Sequence, residues 1–360
     1  MKKNIIIALL IALTVFIYFR QEDKNYYDMI NAVSGATPLA IERRVPDEFS
    51  LTIDGLVKQE YRFTASALNG FASTRIRTKE FSPEGKFLGA YAYTGIPAFN
   101  ILEGIAPEKE TGAVFNQPLD ILVKFISASG ESRGFTFTEL IMADDSLPVT
   151  LAYYRDPIIP TADKVKDTYD KNIYKEPLKG LRLIAPAEPD MSRYLDDIVK
   201  ITYTTLPAPD DLLPARKKGT KCVSTGITCI DGEKTYQATL EYNQRITKNN
   251  WPLIGHGHGY EENVIAEGFE LRSFLEGNFK DISPDDYFLF AACDGYRCLF
   301  SWNEIFANEK GKDIMIADKI NGDLPKNGYR LAPTADFFND RSMWGLAYVV
   351  RIKGSGSSPN

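Results

Sequence analysis

The sequence predicts an α+β chain of two tandem domains of one kind, each with a mixed β-sheet, behind an N-terminal apolar helix. Three observations lead there. Short alternating or β-branched stretches recur along the chain, helical patterns are brief, and three blocks of residues appear twice in the same order.

At the N-terminus, Lys2 and Lys3 precede an unbroken apolar run from Ile5 to Phe19, closed by Arg20. As a helix this run spans roughly 22 Å, short of a hydrocarbon core of about 30 Å unless its flanks snorkel or the membrane thins. The length also suits a signal peptide, but no small-x-small cleavage site and no lipobox cysteine follow. An uncleaved anchor over residues 1–20 is favoured over a removed signal. Either puts the rest of the chain on the periplasmic or cell-surface side of the cytoplasmic membrane, with the membrane itself as a partner. Residues 21–46 read as a polar linker. The net charge of -6 offers no basic footprint, so nucleic acid is not an expected partner.

The first domain is expected over residues 47–204, where "FSLTIDGLV" and "DILVKFISAS" read as strands. The second is expected over 236–353, where "YFLFAAC", "DIMIAD" and "LAYVVRI" do the same. "IPAFNILEGI" and "ELRSFLEGN" carry apolar residues at helical spacing, and "TFTELI" and "SWNEIF" read as single helical turns opened by a Thr or Ser cap. Residues 205–235 are rich in Pro, Gly and charge and read as a linker or an added hairpin; the tail 354–360 reads as disordered.

The repeat is clearest where "FISASGESRGFTFTEL" aligns without a gap on "FAACDGYRCLFSWNEI". Phe125, Gly130, Phe135 and Glu139 recur as Phe290, Gly295, Phe300 and Glu304, with Thr136, Phe137 and Leu140 opposite Ser301, Trp302 and Ile305. Gly95, Leu102, Glu103 and Gly104 recur as Gly268, Leu275, Glu276 and Gly277. A Gly-x-Arg-Leu strand start at Gly180 returns at Gly328. The cysteines do not recur, since Cys293 and Cys298 stand opposite Ala128 and Arg133.

In an exported chain the four cysteines read as local pairs. Cys222 with Cys229 brackets a Ser-Thr-Gly turn, and Cys293 with Cys298 brackets an Asp-Gly turn. Disulfides or inert thiols are favoured over the sharper alternative, a four-thiolate zinc site.

"FSLTIDGLV", "TGIPAFNIL", "VKFISASGES" and "GLRLIAP", in that order, resemble the successive blocks of the sulfite-oxidase fold, the oxidoreductase molybdopterin-binding domain. The resemblance covers about residues 47–204 and, more weakly, 236–352. It implies oxygen-atom or electron transfer at a molybdenum-pterin centre held by a cysteine thiolate, a soft ligand suited to that metal. The family places this cysteine between the opening strands and the first helix. Here "TRIRTKEFSPEGKFLGAYAYTG" and "WPLIGHGHGYEENVIAEG" occupy the matching segments, and neither contains one.

Three groups of residues are candidates for chemistry. His256 and His258 share one face if their strand is extended and could bind a metal with Glu261 or Glu262; the bland alternative is a solvated Gly-rich loop. Arg75, Arg77 and Lys79 would place three cations on one strand face. They suit a pterin phosphate, or else charge an exposed strand against edge pairing. "NAVSGATP" resembles the D-x-x-[ST]-G-A-T signature of exported subunits that carry FMN on a threonine, with Asn31 in place of Asp and Pro38 after the acceptor Thr37. A plain turn is the favoured alternative there. Asp144-Asp145 and Asp285-Asp286 read as solvated turn caps. The expected function is thus an exported, membrane-anchored protein resembling molybdopterin-dependent oxidoreductases. The alternatives are a cofactor-free accessory scaffold that binds a surface or redox protein, and an electron carrier with FMN on Thr37.

Overall fold

β-Branched and aromatic residues recur in the strands of both halves of the chain, and the order in which those strands pair is the same in each. The computed structural model describes residues 44–142, 146–158, 178–217, 219, 222–241, 244–255, 257 and 259–354. The N-terminal apolar run, Thr37, Asp144, Asp145, His256, His258 and the tail residues 355–360 lie outside the described residues. Among the described residues no helix is long and apolar enough to cross a membrane.

In the first half, β1 (Ser50–Gly55) pairs antiparallel with β2 (Tyr61–Thr64) and parallel with β9 (Leu195–Thr205). β5 (Ile121–Ser127) pairs with β6 (Ser132–Thr136) and with the other edge of β9. The remaining order is β3 (Thr74–Phe81), β4 (Phe87–Pro97), β7 (Thr150–Pro157) and β8 (Leu181–Ile184), all antiparallel, and β8 closes onto β9 to give one nine-stranded sheet.

In the second half, β10 (Thr228–Asp231) pairs antiparallel with β11 (Lys234–Gln237) and parallel with β19 (Leu346–Ile352). β14 (Tyr287–Ala292) pairs with β15 (Arg297–Ser301) and with β19. β12 (Arg245–Gly255), β13 (Gly259–Glu270), β16 (Ile314–Ile320) and β17 (Arg330–Pro333) repeat the antiparallel run. So β10, inside the stretch expected as linker or hairpin, holds the place that β1 holds in the first half. One difference is decisive. The long β9 serves both parts of the first sheet, whereas its counterpart is cut into β18 (Met343–Trp344) and β19 at Gly345, which has φ +70°. The second half therefore has two five-stranded sheets.

Helices are short: α1 (Ala65–Leu68), α2 (Ala98–Leu102), α3 (Phe137–Ile141) and α4 (Leu271–Asn278). α4 buries Leu271, Phe274 and Leu275, an i, i+3, i+4 stripe. Gly95 and Gly268, which precede α2 and α4, are fixed by crowding. A Cβ would sit 2.5 Å from the Leu151 carbonyl oxygen in one case and 2.0 Å from that of Ile316 in the other.

Each half has its own core. Leu51, Ile53, Tyr93, Phe125 and Phe135 lie in the first; Phe274, Phe288, Phe290, Phe300 and Val349 lie in the second, joined by Phe115, Leu119 and Met142 from the first half. The repeated pairs Phe125–Phe135 and Phe290–Phe300 meet edge to face, with centroids 5.6 Å and 5.4 Å apart. The repeated arginine also has one environment. Arg182 lies over Tyr93 and Tyr194, and Arg330 over Trp251 and Trp344.

The expected local cysteine pairs do not form. The bridge is Cys222–Cys293, a sequence separation of 71, and Cys229 and Cys298 are free and buried. The strand pattern explains the change. Cys298 opposes Phe290 in the β14–β15 ladder and points into the second core, while Cys293 sits past the end of β14. Cys229 lies in β10, also facing that core. Asp286 likewise is no solvated cap: it is buried and accepts from Arg351 Nε at 2.9 Å.

Burial pushes the Cys229 thiol up to about 12 and Cys298 higher still. Alkylation of the native protein is therefore expected to modify neither. Peptide mapping without reductant should return a Cys222–Cys293 peptide, and Cys293→Ser should cost about 2–4 kcal/mol of unfolding free energy by denaturant titration.

Candidate functional site

The densest chemistry lies where α3 faces its counterpart turn, Asn303–Ala307. "TFTEL" is a capping box: Glu139 N donates to Thr136 Oγ1 at 3.0 Å, and Thr136 N donates to Glu139 Oε2 at 3.3 Å. "SWNEI" repeats half of it, with Glu304 N donating to Ser301 Oγ at 3.1 Å. The cap hydroxyls then reach across the seam between the halves. Ser301 Oγ donates to Glu139 Oε2 at 3.1 Å, and Thr136 Oγ1 donates to Glu304 Oε2 at 3.4 Å.

Two arginines close the network from behind. Arg193 donates from Nε to Glu188 Oε1 at 2.6 Å, from Nη1 to Glu139 Oε2 at 3.1 Å, and from Nη2 to Glu139 Oε1. Arg341 donates to both oxygens of Asp336, at 2.8 and 2.6 Å, and from Nη1 to Glu304 Oε1. Each guanidinium also stacks on the repeated phenylalanine of its half, Arg193 on Phe135 at 3.8 Å and Arg341 on Phe300 at 4.2 Å. The arrangement has an approximate two-fold relation: Thr136, Glu139, Glu188 and Arg193 answer to Ser301, Glu304, Asp336 and Arg341.

Burial sets the electrostatics. It works against the charge on Arg193 and Arg341, but the adjacent carboxylates outweigh it and hold both guanidiniums above their ordinary value. Burial raises Glu188, Asp336 and Glu304, and the arginines pull each part of the way back. Above this floor lies a cavity of about 230 Å³, walled by Phe99, Leu140, Leu147, Val149 and Ile314, with Glu309 and Lys310 at its edge.

The residues expected from sequence to carry chemistry are elsewhere. Arg75, Arg77 and Lys79 do share one exposed face of β3, with Ile76, Thr78 and Glu80 turned inward, but β3 is an edge strand and none of the three lines the cavity. Arg75 pairs with Asp156 at 3.1 Å. Glu261 and Glu262 are exposed in β13, and the histidines between β12 and β13 lie outside the described residues. Among the described residues no group of three or more His, Cys, Asp or Glu is placed to hold a metal.

The residues present do not fit a thiolate-held molybdenum-pterin group. Cys222 and Cys293 are bridged, and Cys229 and Cys298 are thiols inside the second core. The sequence did contain a signal for the network. An acid eight residues, and an arginine thirteen residues, after the Gly-x-Arg-Leu glycine occur in both halves, as Glu188 and Arg193 and as Asp336 and Arg341.

No family model matches the chain, and no curated protein matches it. Among solved structures, the sulfane dehydrogenase SoxCD from Paracoccus pantotrophus is similar over 79% of this chain and 75% of that chain, at a TM-score of 0.32 and 10% sequence identity. A likeness that low assigns neither fold family nor function.

Arg341→Met would strand Glu304 and Asp336 in the seam and is expected to cost about 3–5 kcal/mol in urea titration near neutral pH. Both carboxyls are raised in the native protein, so their stabilising contribution is full at low pH and is lost as pH rises through the native value. The deficit of the variant should accordingly be smaller near about pH 5 than near about pH 8.

Proposed function

We propose that this chain is a non-catalytic accessory protein on the outer side of a membrane. In this reading it consists of two copies of one sulfite-oxidase-like domain, the first over residues 47–204 and the second over 236–353 together with β10. The recurring strand pairings, the recurring phenylalanine pair and the two-fold ion network support duplication. The Cys222–Cys293 bridge supports export, because disulfides persist in oxidising compartments. The apolar run before Arg20 would anchor the chain, and a surface or redox protein would be its partner.

The observation that carries the reading is the fate of the thiols. All four are either bridged or turned into the core, so no described thiolate stands ready for a soft metal. What remains at the seam is a set of four carboxyl groups held by two arginines.

The test is elemental analysis by inductively coupled plasma mass spectrometry on protein from its native host, with an absorption spectrum of the same sample. Neither molybdenum nor tungsten, and no visible chromophore, is the expected result. Molybdenum or tungsten near one atom per chain would restore the oxidoreductase reading and direct attention to His256 and His258 as ligands, with Arg75, Arg77 and Lys79 near the cofactor phosphate. A yellow colour that survives denaturation would instead place flavin on Thr37.

A further inference from the structure

β3 and β12 hold the same place in their halves, at the outer edge of the antiparallel run, but they treat charge differently. β12 carries two cations and pairs both: Arg245 donates to the two oxygens of Asp318 at 2.9 and 2.8 Å, and Lys248 donates to Asp313. Pro252 also interrupts the row of donors along that edge. β3 has no proline and leaves its cations out. Arg75, Arg77 and Lys79 are exposed; Arg75 reaches Asp156 at 3.1 Å, and Arg77 and Lys79 have no ion-pair partner among the described residues. The duplicated fold thus does not call for exposed cations at this edge.

Both ends of β3 add to the pattern. In the β3–β4 turn residues 83–88 are all exposed, Phe87 at 53% and Leu88 at 46%, with Phe87 resting edge-on against Phe81; Glu84 and Lys86 cancel in charge there. At the other end, Val45 N donates to Asn69 Oδ1 at 2.8 Å and Asn69 Nδ2 donates back to Val45 O at 3.3 Å, shortly before β3 opens at Thr74. The sequence before Val45 leads back to the apolar run Ile5–Phe19.

We infer that the exposed face of β3 and the β3–β4 turn lie against a lipid bilayer, with Arg75, Arg77 and Lys79 at anionic headgroups and Phe87 and Leu88 at the headgroup boundary. Long cationic side chains reach phosphate oxygens while their stems cover apolar surface, and exposed aromatic and aliphatic side chains at one tip suit a bilayer better than an acidic protein strand. The chain carries a net charge of -6, so an anionic surface repels most of it and selects this face. Each Lys or Arg at such a surface strengthens binding roughly fivefold, and three together on the order of a hundredfold, which orients a chain that an anchor already holds.

The inference rests on the membrane-anchored reading and deepens it. Full chain carrying Leu88→Cys is labelled with an environment-sensitive dye; the native cysteines do not compete, because two are bridged and two are buried. It is reconstituted into vesicles of phosphatidylcholine, alone or mixed equally with phosphatidylglycerol, each containing doxyl-labelled lipid as quencher. Strong quenching is expected in the mixed vesicles. Quenching should fall several-fold in phosphatidylcholine alone, in high salt, and when Arg75→Gln, Arg77→Gln and Lys79→Gln are combined. The same dye at Tyr260→Cys, exposed near the tip of the equivalent β12–β13 hairpin beside Glu261 and Glu262, should stay unquenched. All these positions are exposed, so an unchanged melting temperature is expected; if the triple variant does not fold, the salt and lipid arms decide. An unquenched dye at position 88, which is also the result if the face docks an acidic protein, overturns the proposal, as does equal quenching at position 260 or quenching that survives high salt and the triple substitution. Extraction with alkaline carbonate, which leaves spanning proteins in the membrane, decides the anchor separately: release of the chain would sink that reading and leave the quenching result standing.

Discussion

Two guanidinium groups govern the seam on which the rest of this architecture depends. Arg193 and Arg341 are each buried and each hold two carboxyl groups, one from the loop that follows the Gly-x-Arg-Leu strand and one from a capping turn. Burying a charge is costly unless partners surround it, so these groups fold together or not at all. The cap hydroxyls add the directional component. Thr136 and Ser301 each bond to the glutamate of the opposite half, so the two capping turns are tied to each other as well as capped within their own halves.

What could be read from the sequence was local and periodic. The gap-free alignment of residues 125–140 on 290–305 placed the phenylalanines, the turn glycines and the capping glutamates at equivalent positions, and Gly130 and Gly295 both adopt positive φ at their turns. Alternation in "TRIRTKE" correctly put three cations on one face. It could not show that the face belongs to an edge strand away from the cavity, because neighbours in a sheet are set by contacts far along the chain. The cysteines failed for the same reason. Proximity in sequence suggested hairpin pairs, whereas ladder register turned Cys298 inward and left Cys293 to meet Cys222. Glu188 and Arg193 were overlooked although their spacing recurs, since an acid and an arginine in a loop look like solvated charges until burial is known.

The halves are alike in pairing and unlike in continuity. One unbroken β9 joins both parts of the first sheet, whereas the turn at Gly345 separates β18 from β19 and leaves the second half with two smaller sheets. The Cys222–Cys293 bridge lies beside this break: a Cβ on Gly345 would sit 3.0 Å from Cys293 Sγ and 3.5 Å from Cys222 Sγ. A covalent tie thus stands where the hydrogen-bonded ladder of the first half has no counterpart.

The parallel pairs β1–β9 and β10–β19 carry a consequence for how the chain assembles. In each half the opening strand finds its parallel neighbour only when the closing strand arrives, after nearly the whole half has been made. Loop-closure entropy must be spent before such distant contacts stabilise anything, so these pairings slow folding. Until β19 emerges, β10 has only the hairpin partner β11, and one edge of β14 is bare. The C-terminal strand is therefore the latch of the second half, and a chain truncated before Leu346 would leave two strand edges open to aggregation.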